Sequence, residues 1–214
     1  VVVKTVKVGD SSNKDLGTLS YSNQQLQGSL KSLDDGEYRV SVQAFDSNQN
    51  ASAVVTQRFS IDKTAPELSL TMPSIISNNQ GFLNKAALNA GFTISGVASG
   101  AEVGQSVLMV VKNANQTVVL PNLSGTVNSR GEFSLALSKA SLQLLTTDGN
   151  YTLEASVSDR AGNAATVQTL SFQVDQTAPS APTAMTLSAA SDSGVSAQDN
   201  ITNKSSNFRC FVLR

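Results

Sequence analysis

Residues 148–179 read DGNYTLEASVSDRAGNAATVQTLSFQVDQTAP, and residues 35–66 read DGEYRVSVQAFDSNQNASAVVTQRFSIDKTAP. The two stretches align without a gap at an offset of 113 residues (148 − 35), and 13 of their 32 positions are identical. A repeat of this length is typical of whole domains in tandem, because each 113-residue unit has the size of a small domain. We therefore interpret the chain as a piece of an array of domains.

Each copy begins with an alternation of apolar and polar residues, from Tyr38 to Ala44 and from Tyr151 to Val157. A period of two is typical of a strand with one buried face. A second alternating run follows in each copy, and the segments between the runs, DSNQN and DRAGN, are rich in turn formers. The two runs therefore predict a hairpin. The Asp-Gly-x-Tyr at its start predicts a tyrosine corner, in which the Tyr hydroxyl bonds to upstream backbone.

More strands are expected upstream in the second repeat. The alternating or apolar runs are Leu68–Met72, Phe92–Val97, Ser106–Lys112, Phe133–Leu137 and a weaker one near Thr117–Leu120, with a helical turn within Ser138–Leu145. About seven short strands in roughly 110 residues, without a strong helical period, are typical of a β-sandwich. The predicted fold class is all-β, with about seven antiparallel strands in each domain.

The repeat also predicts where domains begin and end. Gly17–Tyr21 aligns with Gly131–Leu135, which places Val1–Lys7 near the weak strand at Thr117, so the first domain lacks its opening strands. The last segment, KSSNFRCFVLR, does not resemble a continuation and is interpreted as a truncation or reading-frame artefact. The expected divisions are a partial domain at 1–62, a linker at 63–66, a complete domain at 67–175, a linker at 176–179, the start of a third domain at 180–203 and an atypical tail at 204–214.

Composition excludes several function classes. The 214 residues include 15 basic and 16 acidic side chains, a balance that gives no electrostatic reason to expect nucleic acid or an acidic membrane surface as partner. The chain has no His, so it cannot form a Ser–His or Cys–His pair or a His-ligated zinc site. Its one cysteine, Cys210, cannot form an internal disulfide. The adjacent Asp34 and Asp35 would diverge in extended backbone, and no phosphate loop or nucleophile elbow occurs, so we expect no enzyme.

The motifs together are similar to those of a known family. FTISGVASGAEVGQSVLMVV at 92–111, GEFSLAL at 131–137 and the repeat quoted above resemble a bacterial Ig-like domain of giant surface adhesins and biofilm-associated proteins. The resemblance continues through TAPSAPTAMTLSAASDSGVSAQDNITN at 177–203. It implies tandem Ig-like sandwiches in a secreted protein at the bacterial cell surface. Its partners would be neighbouring Ig-like domains and, through other domains, a host-cell or matrix surface, with no nucleic acid and no insertion into the membrane.

The resemblance further implies calcium at the joints between domains. In an Ig-type sandwich the hairpin before the last strand lies at the end where the chain enters, and the Asp-Gly loop lies at the other end. Calcium takes six to eight oxygen ligands, which clusters of Asp and Asn can supply. The joint between the first two domains would gather Asp34 or Asp35, Asp62, Asp159 and Asn163. The joint to the third domain would gather Asp148, Asp175, Asp192 and Asp199.

Other interpretations of the same residues stay open. Asp46, Asp159, Asn50 and Asn163 could simply hold turns by bonding to local backbone, and Asp192 and Asp199 could belong to a solvated loop. The function most consistent with the pattern is a semi-rigid stalk. The alternatives are a module that binds a host or glycan ligand and a spacer in a secreted polysaccharide-active enzyme. Three Tyr, eight Phe and no Trp, mostly at core positions, form no exposed aromatic cluster, which favours the stalk.

Overall fold

The computed structural model of the chain describes residues 2–8, 17–23, 25–30, 32–78, 80–193, 195–196, 198–207 and 209–213. The chain forms two compact units, residues 1–175 and residues 176–214. Within the first unit, the N-terminal segment (2–61) and the middle segment (67–175) form separate sheets.

The N-terminal segment contains β1 (Val2–Lys7), β2 (Gly17–Ser22), β3 (Gln25–Leu30), β4 (Gly36–Gln43) and β5 (Val55–Ile61). The middle segment contains β6 (Glu67–Thr71), α1 (Ser74–Ser77), β7 (Phe82–Leu83), α2 (Lys85–Ala90), β8 (Phe92–Ser99), β9 (Ser106–Asn113), β10 (Val118–Thr126), β11 (Glu132–Leu137), α3 (Lys139–Leu142), β12 (Gly149–Ser156) and β13 (Gln168–Val174). The C-terminal unit contains β14 (Ala184–Leu187) and β15 (Cys210–Leu213).

The middle segment is a sandwich of two sheets. One sheet has the strand order β10-β9-β12-β13-β7, and the other has the order β11-β8-β6. All neighbouring strands are antiparallel except β7, which runs parallel to β13. The all-β prediction is therefore confirmed, as are the hairpin β12–β13 and the helical turn within 138–145.

The core lies between these two sheets, and β12 shows why. Its apolar residues Tyr151, Leu153 and Ala155 are 0–3 % exposed, and Val157, just beyond its end, is equally buried. The polar residues between them point away from the core. Burying a side chain such as Leu153 completely stabilises the fold by about 1.5–3 kcal/mol. The period of two in the sequence thus reflects a strand whose inner face is covered by the opposite sheet.

A helical cap that the sequence pattern did not predict connects the two sheets. After β6 the chain passes through α1, β7 and α2 before it returns in β8. Ile76, Leu83 and Leu88 of these elements are buried in the core. The side chain of Asn84 caps α2 by accepting a hydrogen bond of 2.9 Å from the backbone N–H of Ala87. The cap places β7 beside β13, which completes the larger sheet.

The N-terminal segment forms the sheet β1-β4-β5 and the hairpin β2–β3. In β1, Lys7 lies opposite Tyr38 of β4, as Asn113 of β9 lies opposite Tyr151 of β12. Strand β1 therefore occupies the position of β9, and the prediction that Val1–Lys7 corresponds to the region of Thr117 is wrong. An alignment at a nearly constant offset misplaces this strand, because the connection from β1 to β4 is shorter than the connection from β9 to β12.

In the described part of the C-terminal unit, β14 pairs with β15. The pairing brings the end of the chain, including the exposed Cys210, beside Leu187. Residues 204–214, for which no strand was expected, thus contribute a strand. Between the two strands, Ser188, Ser191 and Asp192 are buried.

Candidate interdomain joint

Both Asp-Gly loops are fixed by tyrosine corners. The hydroxyl of Tyr38 donates a hydrogen bond of 2.8 Å to the carbonyl oxygen of Asp34, and the hydroxyl of Tyr151 donates one of 2.8 Å to that of Thr147. The rings of Tyr38 and Tyr151 stack on Phe59 and Phe172, with centroids 5.6 and 5.8 Å apart. The predicted corners are confirmed, and each ties its Asp-Gly loop to the hairpin that follows it.

Asp35 lies on the first of these loops and binds the chain that follows β5. Its Oδ1 accepts a hydrogen bond of 3.0 Å from the backbone N–H of Lys63, and its Oδ2 accepts a hydrogen bond from the hydroxyl of Thr64. The Thr64 hydroxyl, and to a smaller extent the Lys63 N–H and the positive charges of Lys63 and Lys7, lower the pKa of Asp35. Asp35 is therefore a carboxylate that anchors residues 63–64.

Two lysine side chains hold the same loop. Lys63 Nζ donates a hydrogen bond of 2.8 Å to the carbonyl oxygen of Leu33, and Lys7 Nζ donates one of 2.8 Å to that of Asp35. Lys7 Nζ also lies 5.7 Å from the centroid of the Tyr38 ring, a cation–π contact. The loop 33–35 is thus held by two positively charged side chains. No motif in the sequence marked either lysine.

Asp62 connects this arrangement to the middle segment. Its Oδ1 accepts a hydrogen bond of 3.1 Å from the backbone N–H of Thr64, and its carbonyl oxygen accepts one of 3.1 Å from the side-chain amide of Asn163. Asn163 is 101 residues away in the sequence. We call residues 62–66, with the loops 33–35 and 159–163 that contact them, the joint.

The loop 159–163 is built as a turn. Asp159 Oδ1 accepts a hydrogen bond of 2.8 Å from the backbone N–H of Asn163, and Oδ2 accepts one of 2.8 Å from its side-chain amide. Asp46 and Asn50 form the same pair in the first copy, at 2.8 and 2.7 Å. The bond from the Asn side chain is the largest cause that lowers the pKa of each Asp. Both aspartates therefore hold turns.

Glu102 also supports this loop. Its Oε2 accepts a hydrogen bond of 2.8 Å from the backbone N–H of Arg160, and this bond is the main cause that lowers the pKa of Glu102. The two residues are 58 positions apart, and no local pattern marked Glu102. Only the folded sandwich brings the β8–β9 connection beside the β12–β13 turn.

Residues 85–176 match the sequence model of a family described as bacterial Ig-like domain. The middle segment is a bacterial Ig-like domain. Ig-like repeat domains are not enzymes, and the match supplies no positive evidence of catalysis. A search of curated protein sequences found no match to the chain.

Several solved structures resemble the chain. The tetra-tandem repeat in the extending region of a large adhesion protein is 24 % identical, with a TM-score of 0.44, over 80 % of this chain and 42 % of that chain. An Ig-like domain of the M. primoryensis ice-binding adhesin is 23 % identical, with a TM-score of 0.33, over 52 % of this chain and 99 % of that one. A Ca²⁺-stabilized adhesin with which an Antarctic bacterium binds ice is 19 % identical, with a TM-score of 0.39, over 88 % and 52 %. The chain thus spans less than half of the tandem-repeat structure and about half of the Antarctic one.

The joint does not offer the donor set that calcium prefers. Calcium takes six to eight oxygen ligands, and carboxylates that carry no bound cation suit it best. Here both oxygens of Asp35 and of Asp159 accept hydrogen bonds from protein donors, as does Oδ1 of Asp62. Lys7 and Lys63 add two positive charges. Within the described ranges, no three Asp, Glu, Cys or His residues are grouped so that they could hold a metal ion.

The remaining predicted ligands lie elsewhere. Asp148 and Asp175 each interact with other residues. Asp192 is 3 % exposed; its Oδ2 accepts a hydrogen bond of 3.1 Å from the backbone N–H of Asn200, and its Oδ1 has no partner among the described residues. Asp199 Oδ1 accepts one of 3.1 Å from the N–H of Ile201. Of the eight predicted ligands, Asp192 alone combines burial with an unsatisfied oxygen in the described chain.

Proposed function

We propose that the chain is part of the stalk of a bacterial cell-surface adhesin, in which tandem Ig-like domains hold a distal binding domain away from the cell during adhesion and biofilm formation. The observation that carries the proposal is the joint. Its residues are bonded to the N-terminal segment through Asp35 and to the Ig-like domain through Asn163.

A stalk needs joints that resist bending, and the geometry of residues 62–66 supports this role. Five residues separate β5, which ends at Ile61, from β6, which begins at Glu67. Asp35 and the Asn163 amide hold the first three of them, and Pro66 has a fixed φ. A linker with this few free torsions limits hinge motion. The joint therefore makes the stalk semi-rigid.

In this proposal, calcium binds to the C-terminal unit and stiffens that part of the stalk. A buried carboxylate oxygen without a partner is energetically costly, and an ion that binds it removes the cost. Asp192 would hold the calcium, with Asp199 as the second acidic residue of the same unit. The ion would neutralise carboxylates that otherwise repel one another. Extracellular modules use such sites with dissociation constants on the order of 0.1–1 mM.

A binding module would present a cluster of exposed aromatic side chains. Among the described residues, the more exposed aromatic ones are Phe45 and Phe82, which belong to different segments. Within the same described ranges, no helix is long and apolar enough to cross a membrane. Two exposed aromatic side chains in different segments do not form such a cluster, which favours the mechanical role of a stalk over ligand binding.

Antibodies raised against the chain test the cell-surface location that the stalk requires. We expect them to label intact cells of the source bacterium, and we expect brief surface proteolysis to remove the label. Labelling that appears only after the cells are broken would refute the proposal.

Calorimetric titration of the chain with CaCl₂ tests the calcium site. We expect binding in the millimolar range or tighter for the wild-type chain and a loss of at least tenfold in affinity for Asp192→Asn. The exposed Glu67→Gln is the matched control and should bind as the wild type does. If Asp192→Asn bound calcium as tightly as the wild type, Asp192 would not be a calcium ligand.

A further inference from the structure

The contacts within the joint do not fit the prediction that calcium binds there, and Lys63 is the main reason. This residue bonds to the loop 33–35 at two points: its backbone N–H donates to Asp35 Oδ1, and its ammonium group donates to the carbonyl oxygen of Leu33. These contacts span 28 and 30 residues of sequence. One linker residue thus supplies both a hydrogen bond to the carboxylate and a positive charge beside it.

Lys7 supplies a second positive charge on the same loop. Its Nζ donates to the carbonyl oxygen of Asp35. The carboxylate of the same residue accepts hydrogen bonds from the backbone N–H of Lys63 and the hydroxyl of Thr64. A divalent ion that approached Asp35 would compete with these donors for the same two oxygens and would be repelled by both ammonium groups. The carbonyl oxygens of Leu33 and Asp35, which are ligands that calcium accepts, are already bonded to those groups.

The second copy of the repeat provides an internal comparison. Strand register pairs Lys7 with Tyr38 and Asn113 with Tyr151, so Asn113 stands at the position of Lys7. The linker sequence IDKTAP of the first copy becomes VDQTAP in the second, so Gln176 stands at the position of Lys63. Both lysines are thus replaced by neutral residues in the second copy. The first joint therefore carries two charges that the second copy lacks.

We propose that the joint is closed by Lys63 and Lys7, which take the place of a metal ion, so that its rigidity does not depend on calcium. The inference rests on the proposed function, since it describes one joint of the stalk. A stalk built in this way has joints of two kinds. The first stays closed at any calcium concentration, and stiffening by calcium is confined to the part that contains Asp192.

Hydrogen exchange of the full chain, measured by mass spectrometry on peptides that cover residues 62–66, tests the proposal. The probes are 1 mM CaCl₂ and 1 mM EDTA, concentrations on the order of extracellular sites. For the wild-type chain we expect exchange rates that agree within twofold in the two solutions. For Lys63→Gln, which installs the residue of the second copy, we expect exchange in EDTA at least fivefold faster than in the wild type.

The control is Lys139→Gln, which removes an exposed lysine of the Ig-like domain and should leave exchange at 62–66 unchanged. Peptides from β12 and β13 report whether each variant is folded. Slower exchange of the wild-type joint in calcium than in EDTA would overturn the proposal, and so would unchanged exchange in Lys63→Gln. Neither result would alter the antibody labelling of cells, so failure of this inference is distinguishable from failure of the stalk.

Discussion

The two copies of the hairpin have the same local geometry and very different burial. The corners of Tyr38 and Tyr151 have hydroxyl-to-carbonyl distances of 2.8 Å, and both rings are at most 3 % exposed. Further along the strands, Leu153 is fully buried in the Ig-like domain, whereas Val40 at the equivalent position is only half-buried. The sheet β11-β8-β6 covers β12, and the described residues of the N-terminal segment provide only the hairpin β2–β3. Corners and turns are therefore local properties of the motif, and burial depends on a second sheet.

The largest expected difference between the copies concerns their core residues. Leu153→Ala should reduce the free energy of unfolding by about 2–5 kcal/mol, because it leaves a cavity in a closed core. Val40→Ala should cost about 1 kcal/mol or less, because the side chain is already partly in contact with water. Urea unfolding monitored by circular dichroism measures both. Equal losses would show that the two hairpins are equally well packed.

The tyrosine corners should respond alike. Tyr38→Phe and Tyr151→Phe each remove the hydroxyl that donates to the backbone carbonyl of the corner, so each should cost about 0.5–1.5 kcal/mol. Hydrogen exchange of peptides from each segment, measured across the same urea titration, gives the loss of stability for each corner. If one variant lost much more stability than the other, the corners would not be local units.

The smallest effect is expected from pH. Asp46 and Asp159 have lowered pKa values in the folded state, so each stabilises the fold above the pKa of the unfolded chain, about 4, and this contribution is lost as the pH falls through the folded-state value. Melting temperatures measured between pH 7 and pH 2 should therefore decrease below about pH 4. Asp159→Asn should flatten this decrease more than Asp46→Asn, since Asp159 is buried and Asp46 is exposed. Identical profiles for the two variants would contradict the comparison.

The sequence determined those features that depend on neighbours along the chain. The alternation in Tyr151–Val157 predicted β12, DRAGN predicted the turn after it, and Asp-Gly-x-Tyr predicted a corner. Each rests on a strand period or a turn hydrogen bond between residues at most five positions apart, which one copy of the motif contains in full. The all-β sandwich followed from the number of such strands. The divisions at 62 and 66 stay predictions.

The tertiary structure alone decided which distant residues meet. Helices α1 and α2 are four and six residues long, too short for a helical period to be visible, and Ile76 and Leu88 of these helices are buried in the core. Strand β1 took the place of β9 because backbone pairing with β4, and not chain length, sets register. The long-range contacts of the joint span 28 to 101 residues, and a side chain's charge reveals its partner only after the fold has brought the two together. The sequence showed where carboxylates stand, and the fold decided that backbone N–H groups, the Thr64 hydroxyl and the Asn163 amide bond to them at the joint.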